Sequence, residues 1–324
     1  MGKLTSLESL YIDSTHLNNL NFLEQLINLK NLQISYTQIK DYSPLENCIQ
    51  LESLTLGDNE ITNIDFLKVF KNLEALSLTT NKISSLDSIK NNTKLKRLCV
   101  CNNPITDYKA LLKFTDLEYF CNGSKHNIEI LRNNKNLVEF ETQEIDQFGI
   151  NKLNDFNRLN TVNIWGFIGD TIDVSNLISV ENLQVSGDFK LINGLEKLKN
   201  LKSIHLSSKE LNKLKIPYLE TLLKIGIPEC PIDNFDFYSD FSNVEELDIA
   251  NTKINTLKPI AGIRQLKRLN CYNTLVSSLK PILHIIKVGL DINFWGEHIP
   301  QKLQDYYEEN ANIGILNYYK EHDS

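Results

Sequence analysis

Leu73 to Asn81 reads LEALSLTTN, and the same arrangement stands one repeat earlier as LESLTLGDN (Leu51 to Asn59) and one later as LKRLCVCNN (Leu95 to Asn103). The starting leucines are 22 residues apart in both steps. The shared pattern, L-x-x-L-x-L-x-x-N-x-I, restricts the possible folds more than any other feature of the chain. Leu76 and Leu78 alternate with Ala75, Ser77 and Thr79, the two-residue period of a short strand with one buried face. After Asn81 the apolar residues come every third position, at Ile83, Leu86 and Ile89, which predicts a tight 3₁₀-like or extended return path. One such coil cannot bury its own apolar side, so coils have to stack. Asn81 marks the bend, where an amide side chain can satisfy turn backbone groups that would otherwise be buried without partners.

Repeat starts run through Leu7, Leu29, Leu51, Leu73, Leu95 and Leu117 in steps of 22. The bend position holds Thr15, Thr37, Asn59, Asn81 and Asn103; a threonine hydroxyl also bonds backbone. Cys48 and Cys271 fall on inward positions and are expected in the core. Beyond Leu117 the starts Leu137, Leu159, Val180 and Leu201 are spaced 20, 22, 21 and 21, and Leu219 and Val244 add 18 and 25. Pro228 and Pro231 cannot both sit in a paired central strand, so Lys224 to Phe241 reads as an irregular repeat with an altered turn. At the end of the chain, Leu303, Tyr306, Tyr307, Ile313, Leu316 and Tyr319 give an amphipathic helix, or two helices split near Asn310 to Gly314. Its expected role is to cover the open end of the stack.

Composition narrows the partners. The formal net charge of −7 disfavours an electrostatic grip on nucleic acid or an anionic membrane. No apolar run reaches membrane-spanning length, and MGKLTSLESL lacks the apolar core of a signal peptide. The six cysteines show no paired extracellular spacing, which fits a reducing, cytoplasmic setting. Met1-Gly2 through Ser6 matches a myristoylation pattern formally, although a start placed just before the first repeat is the plainer reading.

The pattern resembles bacterial leucine-rich repeats of the internalin-like 22-residue class, most closely in Thr37 to Leu51, Thr252 to Leu266 and Thr274 to Ile285. The tail, through Pro300, Gly314, Ile315, Leu316, Tyr318 and Tyr319, is similar to the connector after such repeats in Roco-type proteins, where a GTPase domain follows. The resemblance implies an α/β solenoid: a right-handed leucine-rich repeat superhelix, or horseshoe. Short parallel strands would line its concave face, 3₁₀ or extended segments its convex side, and a helical cap its C-terminal end. Residues 1–294 would form about 13–14 repeats, and residues 295–324 the cap. It also implies a binding surface. The expected function is recognition of a partner protein by a monomer, without cofactor; the alternative is a sensor arm acting in cis within a larger GTPase or NTPase.

Side chains between the buried strand leucines should point to the concave face, on strands about 4.8 Å apart. One column contains Tyr11, Gln33, Thr55, Ser77, Cys99, Cys121, Glu141, Asn163, Gln184, His205, Asp248 and Asn270; a second includes Asp13, Cys101, Gly123, Trp165 and Tyr272. The candidate partner contacts on or beside these columns are Tyr11, Tyr36, Tyr119, Glu139, Glu141, Glu144, Trp165, His205 and Tyr272, aromatic anchors among adaptable polar groups. Glu139, Glu141, Glu144 and Asp146 make an acidic patch beside Trp165 and Phe167, either a docking site for a basic partner or a solvated face in an acidic chain. Cys99, Cys101 and Cys121 could hold zinc with His126 as fourth ligand. Flat strand geometry converges poorly on a tetrahedral ion, so small surface thiols are expected and no metal. No phosphate loop, zinc-protease motif, Ser-His-Asp set or dinucleotide fingerprint is present, so no enzyme is expected.

Overall fold

The computed structural model describes residues 5–13, 16–123, 128–235 and 242–322; Thr15 and His126, both singled out above, lie outside them. The chain divides into two compact units, Met1–Ile145 with Lys152–Leu159, and Asp146–Asn151 with Asn160–Ser324. Each is a stack of leucine-rich coils.

In the first unit the strands are β1 (Ser9–Asp13), β2 (Asn31–Ser35), β3 (Ser53–Thr55), β4 (Ala75–Ser77), β5 (Arg97–Cys99), β6 (Tyr119–Asn122) and β7 (Glu139–Thr142). Each is parallel to the next, in a register that lays repeat upon repeat: Leu32 on Leu54, Leu54 on Leu76, Leu76 on Leu98, Leu98 on Phe120, Phe120 on Phe140. This column is buried from Leu32 to Phe140, whereas Leu7 and Leu10 of the first coil are only half-buried. The return paths are short 3₁₀ helices such as Asn21–Gln25, Ser43–Asn47 and Asp65–Val69. Cys48 lies fully inside, where burial pushes its thiol up to about 11, so it packs as a small apolar group.

The bend residues form a ladder. Asn81 Nδ2 donates to the carbonyls of Leu56 (2.8 Å), Leu78 (3.0 Å) and Thr79 (3.2 Å), and its Oδ1 accepts the Ile61 N–H at 3.0 Å. Asn59 and Asn103 repeat the arrangement one coil to either side. An amide is the one short side chain that can donate twice and accept at once.

Just before each ladder residue the backbone turns left-handed, at Tyr36, Asp58, Thr80 and Asn102 in the first unit and at Glu229, Asn251 and Asn273 in the second. Asparagine tolerates that region; a β-branched residue does so at a cost. Thr80→Asn is therefore expected to raise stability by about 0.5–1 kcal/mol, read as a higher denaturant midpoint with an unchanged slope.

The second unit runs through β8 (Thr161–Ile168), β9 (Thr171–Asp173), β10 (Asn182–Gly187), β11 (Leu191–Asn193), β12 (Ser203–Ser207), β13 (Lys224–Gly226), β14 (Glu246–Asp248), β15 (Arg268–Asn270) and β16 (Asp291–Asn293). β8, β10, β12, β13, β14, β15 and β16 pair in parallel in that order, while β9 and β11 form a separate two-stranded pair. The irregular repeat expected at Leu219 is corrected here. Ser203 pairs with Lys224 and Lys224 with Glu246, so the coil starts at Leu222 and the spacings become 21 and 22. The turn is also the ordinary one: Glu229 takes the left-handed position and buried Cys230 the ladder position, its thiol 3.5 Å from the Leu206 carbonyl. β13 ends before Pro228, so neither proline interrupts it.

The final helix, Gln301–His322, breaks at Asn310 and Ala311 into two segments. The break resets the helical phase: Leu303 and Ile315 are buried, whereas Ile313, expected inside, is 65 % exposed. Gly314 lies against the Tyr306 backbone so closely that a Cβ would overlap its carbonyl oxygen. Asn312 Nδ2 donates to the Leu290 carbonyl at 2.7 Å, and Tyr319 Oη accepts the Leu279 N–H at 2.7 Å, tying both the break and the second segment to the last coils.

Candidate functional site

In the first unit two columns of the strands face away from the leucine column, and register fixes their neighbours: Arg97 beside Tyr119 beside Glu139, and Cys99 beside Cys121 beside Glu141. The Arg97 guanidinium sits 4.2 Å over the Tyr119 ring, a cation–π contact, and the Tyr119 hydroxyl donates to Glu141 Oε2 at 3.2 Å. Burial, followed by the Cys99, Glu141 and Glu139 groups, pushes that hydroxyl well above the usual tyrosine range, so it remains a donor. Tyr11 and Tyr36 are 67 % and 60 % exposed; Tyr36 stands at the strand-end turn, where the Asp58 carboxylate raises its hydroxyl pKa. Glu139 and Glu141 are half-buried, and Glu144 is exposed in the turn after β7. A shallow trough of about 300 Å³ runs past Thr55, Ser77, Arg97, Cys99 and Tyr119.

The cysteines depart from the expectation of three small surface thiols. Cys101 and Cys121 are buried and joined by a disulfide, with their Cα atoms 6.0 Å apart. Such a bond persists in oxidising surroundings and opens to two thiols in reducing ones. Cys99 keeps a half-buried free thiol.

In the second unit the outward row is Asn163, Gln184, His205, Gly226, Asp248, Asn270 and Asn293. The His205 ring covers Gly226, where a Cβ would collide with it; burial lowers its pKa against the opposing pull of Asp248. The edge row carries Lys224, Glu246 and Arg268, with Glu246 paired to both cations. Burial pushes Glu246 up, yet Lys224 and Arg268 together hold its carboxyl below the usual range. From His205 onward these rows line an open trough of about 460 Å³. Starting a coil at Leu219 hides Lys224 and Gly226, and columns drawn only from the two inner strand positions leave out the edge residues Glu246 and Arg268; Asn293 belongs to the last coil, which carries no column residue in the sequence reading. The recurrence of Lys224, Glu246 and Arg268 every 22 residues was the signal.

Trp165 and Tyr272 are 48 % and 46 % exposed. Phe167, read beside Trp165 on the open face, is instead buried and meets Phe189 edge-on at 6.2 Å. The cause is a bulge: Ile164 pairs with Val185 and Phe167 with Gly187, so Trp165 and Gly166 together oppose Ser186 and the alternation flips. Gly187 permits this with φ +147, since a Cβ would strike the Phe167 backbone. Asp146, counted in the acidic patch, accepts the Gly149 N–H at 3.0 Å at the start of the short helix Gln147–Leu153. Among the described residues no helix is long and apolar enough to cross a membrane.

Comparison with known proteins agrees with this architecture. The family of Leucine Rich repeats (2 copies) matches residues 27–69 and 49–91. No curated protein sequence matches the chain. Among solved structures, an internalin (InlF) of Listeria monocytogenes aligns with a TM-score of 0.66 at 21 % identity, over 91 % of this chain and 88 % of its own. A leucine-rich repeat protein of Leptospira interrogans gives 0.61 at 19 % identity, over 90 % and 84 %. The functional domain of InlJ from Listeria monocytogenes, which includes a cysteine ladder, gives 0.55 at 20 % identity, over 87 % and 71 %. At these identities the likeness is one of fold.

Proposed function

Because the chain is built of leucine-rich repeats on the internalin-like plan, we propose that it is a non-enzymatic recognition module, acting as a monomer, that binds a partner protein on its concave, strand-lined face. Residues 295–324 serve as its cap. The observation that carries this reading is a set of exposed aromatic rings on the strands or at the turns that end them: Tyr11 and Tyr36 in the first unit, Trp165 and Tyr272 in the second. Rigid rings surrounded by adaptable polar groups supply large contact area at low entropic cost, and such residues dominate interface energetics. In the first unit Tyr119, Glu139, Glu141 and Glu144 give the surface an acidic character that suits a basic partner. His205 adds a polar contact in the second.

The test uses the full chain as bait. A protein recovered with the wild type is titrated against Tyr11→Ala with Tyr36→Ala, against Trp165→Ala with Tyr272→Ala, and against Glu141→Lys. At least one aromatic pair is expected to weaken binding by about 10- to 100-fold, with the thermal midpoint unchanged because these rings are exposed. Unchanged affinity in all three variants would move the site off the strand face.

A further inference from the structure

The Cys99, Cys101 and Cys121 sulfurs all lie within 4.8 Å of one another. Cys99 Sγ stands 3.9 Å from Cys101 Sγ and accepts the Thr79 hydroxyl at 3.2 Å. Two chemistries use such a group. In thiol–disulfide exchange, the Cys99 thiolate would attack the Cys101–Cys121 bond along its axis. That places the outer sulfurs about 6 Å apart, the 3.9 Å approach added to a bond of about 2 Å. The 4.8 Å limit excludes the arrangement. The sulfurs form a triangle, not a row.

A triangle suits an ion bound at its centre. With metal–sulfur bonds of about 2.3 Å, planar three-coordination separates the sulfurs by about 4 Å, close to the Cys99–Cys101 distance. Zinc wants a fourth ligand, and among the described residues the cluster contains no fourth cysteine, histidine or carboxylate. A soft, monovalent ion that accepts three thiolates is the better match. We infer that, once the Cys101–Cys121 bond is opened, the Cys99, Cys101 and Cys121 sulfurs form a three-coordinate site for Cu(I).

Opening needs a reductant, here a small dithiol. It gives two electrons and two protons to the S–S bond, leaving two cysteine thiols, and closes to its own cyclic disulfide. Binding of Cu(I) then releases the three thiol protons to water. The resulting site carries two negative charges; Glu141 beside Cys121 adds to that charge, and two groups offset it. The Thr79 hydroxyl donates to Cys99, and Arg97 lines the same trough as Cys99. The trough leaves a route for the ion from solvent to Cys99. The site therefore has two exclusive states, a closed disulfide that holds no metal and a reduced form that does.

The experiment titrates the reduced full chain anaerobically with Cu(I) against a colorimetric Cu(I) chelator, with X-ray absorption on the loaded protein. The expected result is one ion per chain with three sulfur neighbours at about 2.3 Å, and none retained by the air-oxidised chain. Cys99→Ser and Cys99→Ala, at the half-exposed position, should each weaken retention by about 100-fold, since one of three metal–thiolate bonds is gone. Cys271→Ser, a buried thiol elsewhere, should leave retention unchanged. The inference is overturned if the Cys99 variants retain Cu(I) as the wild type does, if the reduced chain yields all its copper to the chelator, or if absorption shows nitrogen or oxygen neighbours. It is equally overturned if Zn(II) displaces Cu(I) at equal concentration.

Discussion

Asn81→Ala is expected to destabilise the first unit by about 3 kcal/mol, the loss of two N–H donors and one acceptor at about 1 kcal/mol each. The two N–H groups are shared among the carbonyls of Leu56, Leu78 and Thr79, and the amide oxygen accepts from Ile61. The three carbonyls keep other partners: Leu56 still accepts from Asn59, Leu78 from Asn103, and Thr79 from the Asp58 N–H. The Ile61 N–H does not, and its desolvation falls on the folded state alone. Because neighbouring asparagines share carbonyls, the loss should spread along the ladder, with faster amide exchange in β3, β4 and β5. Asn72→Ala, at a surface site where the amide oxygen accepts from Lys94, should change stability by less than about 0.5 kcal/mol. Equal effects from the two substitutions would remove the ladder from the account of what holds the coils together.

Gly314→Ala is expected to undock the second segment of the final helix, at a cost of about 3 kcal/mol or more. The added carbon overlaps the Tyr306 carbonyl, a backbone atom that no side-chain rotation can move. The two segments have to separate, and Leu303 and Ile315, both fully buried, lose their packing. Tyr319 would then leave the Leu279 N–H and Ser278. Limited proteolysis should cut first within 311–322, and amide exchange should rise at β16, where Tyr307 and Asn312 reach the carbonyls of Ile292 and Leu290. Ala311→Gly changes only a residue already held at φ +48 and should keep the helix docked. A protease-resistant tail in Gly314→Ala would show that the segments pack some other way.

Where the repeat is strict, sequence and structure coincide. Leu54, Leu76 and Leu98 could be placed in one column, and Asn59, Asn81 and Asn103 at one bend, because a fixed period forces each coil to meet the same residues of the next. The departures come where a single residue shifts the phase. Leu219 and Leu222 are equally good coil starts by letter alone, since both are apolar and three apart, and only strand pairing distinguishes them. Phe167 went inward because the bulge at Trp165 and Gly166 exchanged the two faces of the strand. Ile313 came out into water because the helix breaks two residues earlier.

The sequence by itself determined the stacking of leucine coils, the short return helices and the outward row that carries Tyr11, Cys99 and Glu141, since spacing alone decides which side chains the backbone presents together. Only the tertiary structure decided that Arg97 covers Tyr119, that Cys101 is bonded to Cys121 with Cys99 beside them, and that Gly314 lets two helical segments touch. Those depend on distances between atoms on different coils, and a change of one ångström in the packing, invisible in the order of residues, makes or breaks each of them.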